Sequence, residues 1–142
     1  MASKDLHHNV KAIVALAPQS ITTDTTTAGE VIDTAGFESV EFVIAAGALA
    51  DATLVPLVTE CATSGGPYTA VADADLIGTE AGATLTATGD KDTAKIGYLG
   101  SMQFVKLSLV STSASGANLV GAVALLGHAR HASAADSQVY VS

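Results

Sequence analysis

The alternation of apolar and polar positions is clearest between residues 95 and 110, KIGYLGSMQFVKLSLV. Val105, Leu107 and Leu109 fall on one side of an extended chain, Lys106 and Ser108 on the other. That period of two is the signature of a half-buried strand. A helix would mix Lys106 and Ser108 into its apolar face and carry Gly97 and Gly100 at a cost. Two strands are therefore predicted, over 96–99 and 104–110, and the Gly100-Ser101 pair predicts a β-hairpin between them.

The same pattern recurs along the chain. Residues 10–16 predict a first strand that Pro18 ends. Residues 21–27 are rich in Thr and suit an edge strand or an extended loop, and Gly29 leads into a short strand over 30–33. Over 39–46, Val40, Phe42 and Ile44 share one face, with Glu41 opposite, and 47–51 supply a turn. The strand over 52–59 contains Pro56, which cannot donate to a ladder and predicts an edge or a bulge. A loop over 63–67 precedes 68–71, and 73–78 reads as a strand end or a single helical turn. Residues 89–92 form an exposed turn. The last strand, 118–126, is apolar on both sides, with Leu119, Val123 and Leu125 on one and Val120, Ala122, Ala124 and Leu126 on the other. Such a strand is central in a sandwich or lies against a neighbouring subunit.

Seven to nine short strands with no helix longer than one turn predict an all-β, single-domain antiparallel β-sandwich, jelly-roll-like. Strand spacing alone does not separate a jelly roll from another Greek key. The body is expected over 10–127, between polar arms at 1–9 and 128–142.

Composition narrows the function classes. The 142 residues are 49% hydrophobic and 14% charged, a balance far from that of a disordered chain. A net charge of −8, with only six Lys and Arg, argues against nucleic acid, whose binding rests on phosphate neutralisation, and against an anionic membrane surface. No apolar run approaches the ~20 residues of a membrane-spanning helix, and the N-terminus lacks the pattern of a secretory signal. Cys61 has no partner for an intramolecular disulfide and reads as a small buried or half-buried strand residue.

Candidate chemistry is thin. His128 and His131 have a spacing that could present two metal ligands, but no Cys, Asp or Glu stands within the motif, and neither a metal nor a cofactor is expected. Asp73, Asp75, Glu80, Asp90 and Asp92 form an acidic strip in sequence. Paired carboxylates can serve glycoside hydrolysis or calcium binding. The EF-hand pattern is absent, however, and turn-forming and solubilising roles fit these positions better. No phosphate loop or nucleophile elbow occurs, so the chain is not expected to be an enzyme.

The order of motifs adds a resemblance. SVEFVIAAGALADATLVPLVTE, PYTAVADADLIGTE, KIGYLG followed by FVKLSLVS, and NLVGAVALLGHAR together resemble a family of small proteins of tailed bacteriophages and prophages. These are encoded near the major capsid protein and taken to be head decoration, or cement, proteins. The similarity covers residues 8–131, and its most specific parts are ADADLIG (72–78), IGYLG (96–100) and LGHAR (126–130). The family often carries a basic pair before the aromatic residue at 104. Met102 and Gln103 stand there in this chain, which puts any contact made by such a pair in question.

The resemblance implies a virion protein on the outer surface of the capsid, made in the host cytoplasm. It would act as a homotrimer that bridges major capsid protein subunits and stabilises the shell. On this reading the candidate capsid or subunit contacts are Leu119, Val120, Ala122, Val123, Leu126, His128 and Arg130. A tail-tube or head-completion protein is the alternative, and a carbohydrate-binding sandwich a third, disfavoured by the 4% aromatic content.

Overall fold

The computed structural model describes residues 4–129. Nine strands run in the order β1 (Val10–Ile21), β2 (Thr26–Asp33), β3 (Phe37–Leu49), β4 (Thr53–Cys61), β5 (Thr69–Ala70), β6 (Leu76–Ile77), β7 (Thr93–Tyr98), β8 (Phe104–Thr112) and β9 (Asn118–Ala129). Helical structure among the described residues is confined to 3-10 turns at His7–Asn9 and Asp73–Asp75. The strands form a five-stranded sheet ordered β1-β9-β3-β7-β6 and a four-stranded sheet ordered β2-β8-β4-β5. Every pairing is antiparallel. This interleaving, in which the first four strands alternate between sheets, is a jelly roll.

Alternation fills the space between the sheets. Leu16, Phe42, Ile44, Ile96 and Leu126 come from the five-stranded sheet and Ile32, Leu54, Val58, Val105, Leu107 and Leu109 from the other, all fully buried. Each such side chain contributes about 1.5–3 kcal/mol on leaving water. β9 lies between β1 and β3, so its central placement agrees with its apolar sequence.

Several local expectations change in three dimensions. The hairpin predicted around Gly100 does not form, because β7 pairs with β3 and β6 while β8 pairs with β2 and β4. The intervening residues instead carry the chain from one sheet to the other. Tyr98 supports this crossing: its hydroxyl donates to Glu60 Oε2 of β4 at 2.5 Å and accepts the Met102 N–H at 3.0 Å. Burial, with Glu60 accepting the phenolic proton, pushes the Tyr98 hydroxyl well above its ordinary pKa. Gly100 makes room for that ring, since a Cβ there would sit 2.4 Å from the Tyr98 oxygen.

Pro18 does not end the first strand. β1 continues to Ile21 through a register shift between Leu16 and Gln19. It is an edge strand, where a missing N–H breaks no ladder bond. The short strand expected over 30–33 begins earlier, at Thr26, and absorbs Gly29. Residues 73–78 prove to be both alternatives in turn, a 3-10 turn and then the short strand β6. Pro56 fits its edge expectation, because β5 pairs only with Thr59 and Glu60 of β4.

Carboxylates hold the turns. Glu80 Oε1 accepts the Val58 N–H at 3.0 Å and Asp90 Oδ1 the Leu49 N–H at 2.8 Å. These two members of the acidic strip thus serve turns. Asp51 Oδ2 accepts from the Ser115 hydroxyl at 2.5 Å and the Gly116 N–H at 3.0 Å. Hydrogen bonds from Ser115 and Asn118 hold the Asp51 carboxyl down at about 2. A carboxylate depressed in the folded state stabilises it above the unfolded value of 3.8, and that contribution is lost as pH falls toward 2. Acid titration followed by amide NMR should therefore show Ser115 and Gly116 moving together in a transition centred at about 2, below the ordinary carboxylate range. The Asp51→Asn variant should lack the transition.

Candidate interaction surface

The outward side of the five-stranded sheet is read off its register. Val14 of β1, Val123 of β9 and Val43 of β3 form one row across three strands. The neighbouring row is Ala12, Leu125, Glu41, Gly97 and Ile77. Leu119 and Gly121 continue the β9 side of this face. Leu119 covers Gly47, and Pro18 covers Gly121, each within 3.2 Å of where a Cβ would stand. The result is a shallow groove of about 630 Å3 whose floor includes Ala45, Gly47 and Gly121 and whose walls include Val14, Leu119 and Val123. None of its lining residues is ionisable.

At the other end of the same face, Ile77 and Leu99 stand up as a ridge, 53% and 59% exposed. Beside them is a second depression of about 350 Å3, lined by Val10, Glu41, Leu125, Gly127 and His128 among others. Burial raises the Glu41 carboxyl above its ordinary value, against the opposing attraction of Lys95. Ser39 Oγ lies 2.5 Å from Nδ1 of His128, which fixes that ring near the end of β9. Large apolar side chains gathered on one exposed face mark a contact surface. Here they gather on a chain whose net charge is −8.

The structure divides the candidate contact residues. Leu119 and Val123 are exposed, at 46% and 39%, and belong to the groove wall. Val120, Ala122 and Leu126 point the other way, are at most 4% exposed and belong to the hydrophobic core. β9 has two apolar sides because one builds the core, so these side chains offer little surface to a partner, although Val120 and Ala122 are also among the residues that line the groove. His128 is exposed, but β9 extends to Ala129 and includes it, so it is part of a strand rather than of an arm. Arg130 and His131 lie outside the described residues.

Sequence reasoning missed Val14, Val43, Ile77 and Leu99. Their apolar character was visible, but the strand neighbours that bring them together come from distant parts of the chain. Among the described residues, no group of three or more His, Cys, Asp or Glu could hold a metal ion. No helix of the described residues is long and apolar enough to cross a membrane. No protein-family model and no curated protein matches the chain.

Proposed function

We propose that this chain is a structural virion protein that decorates the outside of a tailed-phage head and stabilises it by bridging major capsid protein subunits. The observation that carries the proposal is an exposed apolar surface, a groove with no ionisable lining residue and the Ile77–Leu99 ridge on the same face, on an otherwise acidic jelly roll. Such a face works by contact, and the motif resemblance names the contact. The Ile77–Leu99 ridge is the part of that face most open to a partner. A small module repeated over a shell gains by avidity, since many weak contacts act together. The acidic remainder keeps decorated particles apart. A homotrimer at positions of three-fold symmetry would let each unit clamp several capsid subunits.

The test is co-sedimentation with expanded heads of the phage that encodes the chain, beside the Ile77→Asp/Leu99→Asp double variant. The unaltered protein should pellet at a copy number near that of the capsid protein and raise resistance of the heads to heat and osmotic shock. The variant should lose affinity by at least about ten-fold, a difference of 1.4 kcal/mol, while its own unfolding midpoint is little changed. Failure of the unaltered protein to pellet would overturn the proposal. Assembly of the isolated protein into rings or tubes would favour the tail or head-completion reading instead.

A further inference from the structure

We propose that the depression beside the Ile77–Leu99 ridge is a socket for a basic side chain of a partner protein. The aliphatic stem of that lysine or arginine would lie along Ile77 and Leu99, and its cationic head would meet the Glu41 carboxylate. The inference rests on reading this face as a contact surface and names the chemistry that the contact selects.

The register of the sheet builds the socket. Gly97 of β7 stands between Glu41 of β3 on one side and Ile77 of β6 on the other. A Cβ at position 97 would lie 2.7 Å from Glu41 Oε2 and 3.0 Å from the Ile77 Cβ. The glycine thus leaves room for the carboxylate to lie across β7 toward Ile77. Leu125 supplies apolar surface beside it. At the rim stands His128, whose Nδ1 is already engaged by Ser39 Oγ at 2.5 Å.

Charge decides the occupant. The lining contains one carboxylate, Glu41, and neither Lys nor Arg. Among the described residues that carboxylate has no salt bridge, and Lys95 attracts it only from a distance. Burial raises the Glu41 carboxyl, as expected of an anion that has given up part of its water without gaining a close partner. An apolar partner would cover the carboxylate and leave it uncompensated, and an acidic one would be repelled. A cation supplies the missing partner. Apolar walls next to a single anionic group also match the build of Lys and Arg, which bury a hydrocarbon stem and carry the charge at its end. The net charge of −8 favours the approach of such a group. The neighbouring groove, with no ionisable lining residue, makes no such demand.

The test is an amide NMR titration of the full chain with the peptide acetyl-Leu-Lys-Leu-amide at neutral pH. It is run beside Glu41→Gln, which keeps the size of the side chain, and Glu30→Gln, which removes the same charge from an exposed position on β2 in the other sheet. Saturable shifts are expected at Ile77, Gly97 and Leu99 in the unaltered chain and in Glu30→Gln. Glu41→Gln should bind about five-fold more weakly, the upper end for an ion pair open to water. A peptide with norleucine in place of lysine should bind the unaltered and Glu41→Gln chains alike. Equal binding of the lysine peptide by those two chains would overturn the inference, and so would shifts that avoid Ile77, Gly97 and Leu99 or an absence of saturable binding. No phage head enters the titration. Heads that bind the protein while the titration fails would remove the socket and leave the shell proposal standing, and a working socket in a protein that ignores heads would do the reverse.

Discussion

Gly29→Ala is expected to lower the unfolding temperature of this protein by about 10 °C, corresponding to roughly 3 kcal/mol for a domain of this size. A Cβ at position 29 would lie 2.2 Å from the carbonyl oxygen of Ala15 and 2.3 Å from that of Leu107. Both obstacles are backbone atoms, so no side-chain rotation relieves the clash. Position 29 lies where β2 shifts register against β8, between Ala28 and Val31. β1 shifts register at the facing position, between Val14 and Leu16. Two irregular edge strands, one from each sheet, thus approach closely at this corner and close one side of the sandwich. Inserting a methyl group must force them apart, and β1 is tied to β9 along its length. Thermal unfolding followed by circular dichroism, with Gly36→Ala as a comparison, measures the effect. Position 36 has open space around it but a φ of +88°, so its cost is backbone strain alone and should be smaller, about 1 kcal/mol. Equal midpoints for Gly29→Ala and the unaltered chain would refute the close-packed corner.

Asn118→Ala is the second large effect, expected to cost about 4 kcal/mol in urea denaturation with little change in the slope. The Asn118 side chain is fully buried and makes five hydrogen bonds. Its Oδ1 accepts the N–H groups of Asp51 and Ala52 at 3.1 and 3.0 Å. Its Nδ2 donates to the carbonyls of Ile21 and Gly116 and to Asp51 Oδ1, at 2.9 to 3.1 Å. One side chain thereby joins the end of β1, the β3–β4 turn and the loop before β9. Alanine would leave the Ala52 N–H and the Ile21 carbonyl without these partners in a place where water has little access. Asn118→Asp keeps the shape but loses the donor, and it sets a second carboxylate against Asp51. It should be no better tolerated at neutral pH and should recover part of its stability on acidification, where one of the two carboxyls takes up a proton. A loss below 1 kcal/mol for the alanine variant would show that the network contributes little.

Much of this architecture could be read from single strands. Val40, Phe42 and Ile44 were expected on one face of a strand, and all three enter the core. The turn at 89–92 and the two-sided apolar pattern of β9 are likewise local features, and β9 takes its central place. What misled was also local. Gly100-Ser101 has the chemistry of a hairpin turn, yet the strands on either side belong to different sheets. Alternation says which side of a strand faces the core. It does not say from which sheet the strand faces it. Pro18 misled for a similar reason, since proline is a breaker only where its N–H is needed, and the edge of a sheet does not need it.

The candidate surface shows the same division. Leu119 and Val123 were marked from β9 alone, together with Val120, Ala122 and Leu126, because an apolar strand read by itself does not reveal which side its own core will take. By itself, the sequence determined an acidic, all-β chain with a strand over 118–126 that is apolar on both sides, because composition and alternation are properties of neighbours along the chain. Only the tertiary structure decided the jelly-roll order of the strands. It also decided the close corner at Gly29 and the joining of Val14, Val43, Leu119 and Val123 into one uncharged groove. Those features depend on which distant strands pair and in what register, and that choice is made by the packing of the whole core.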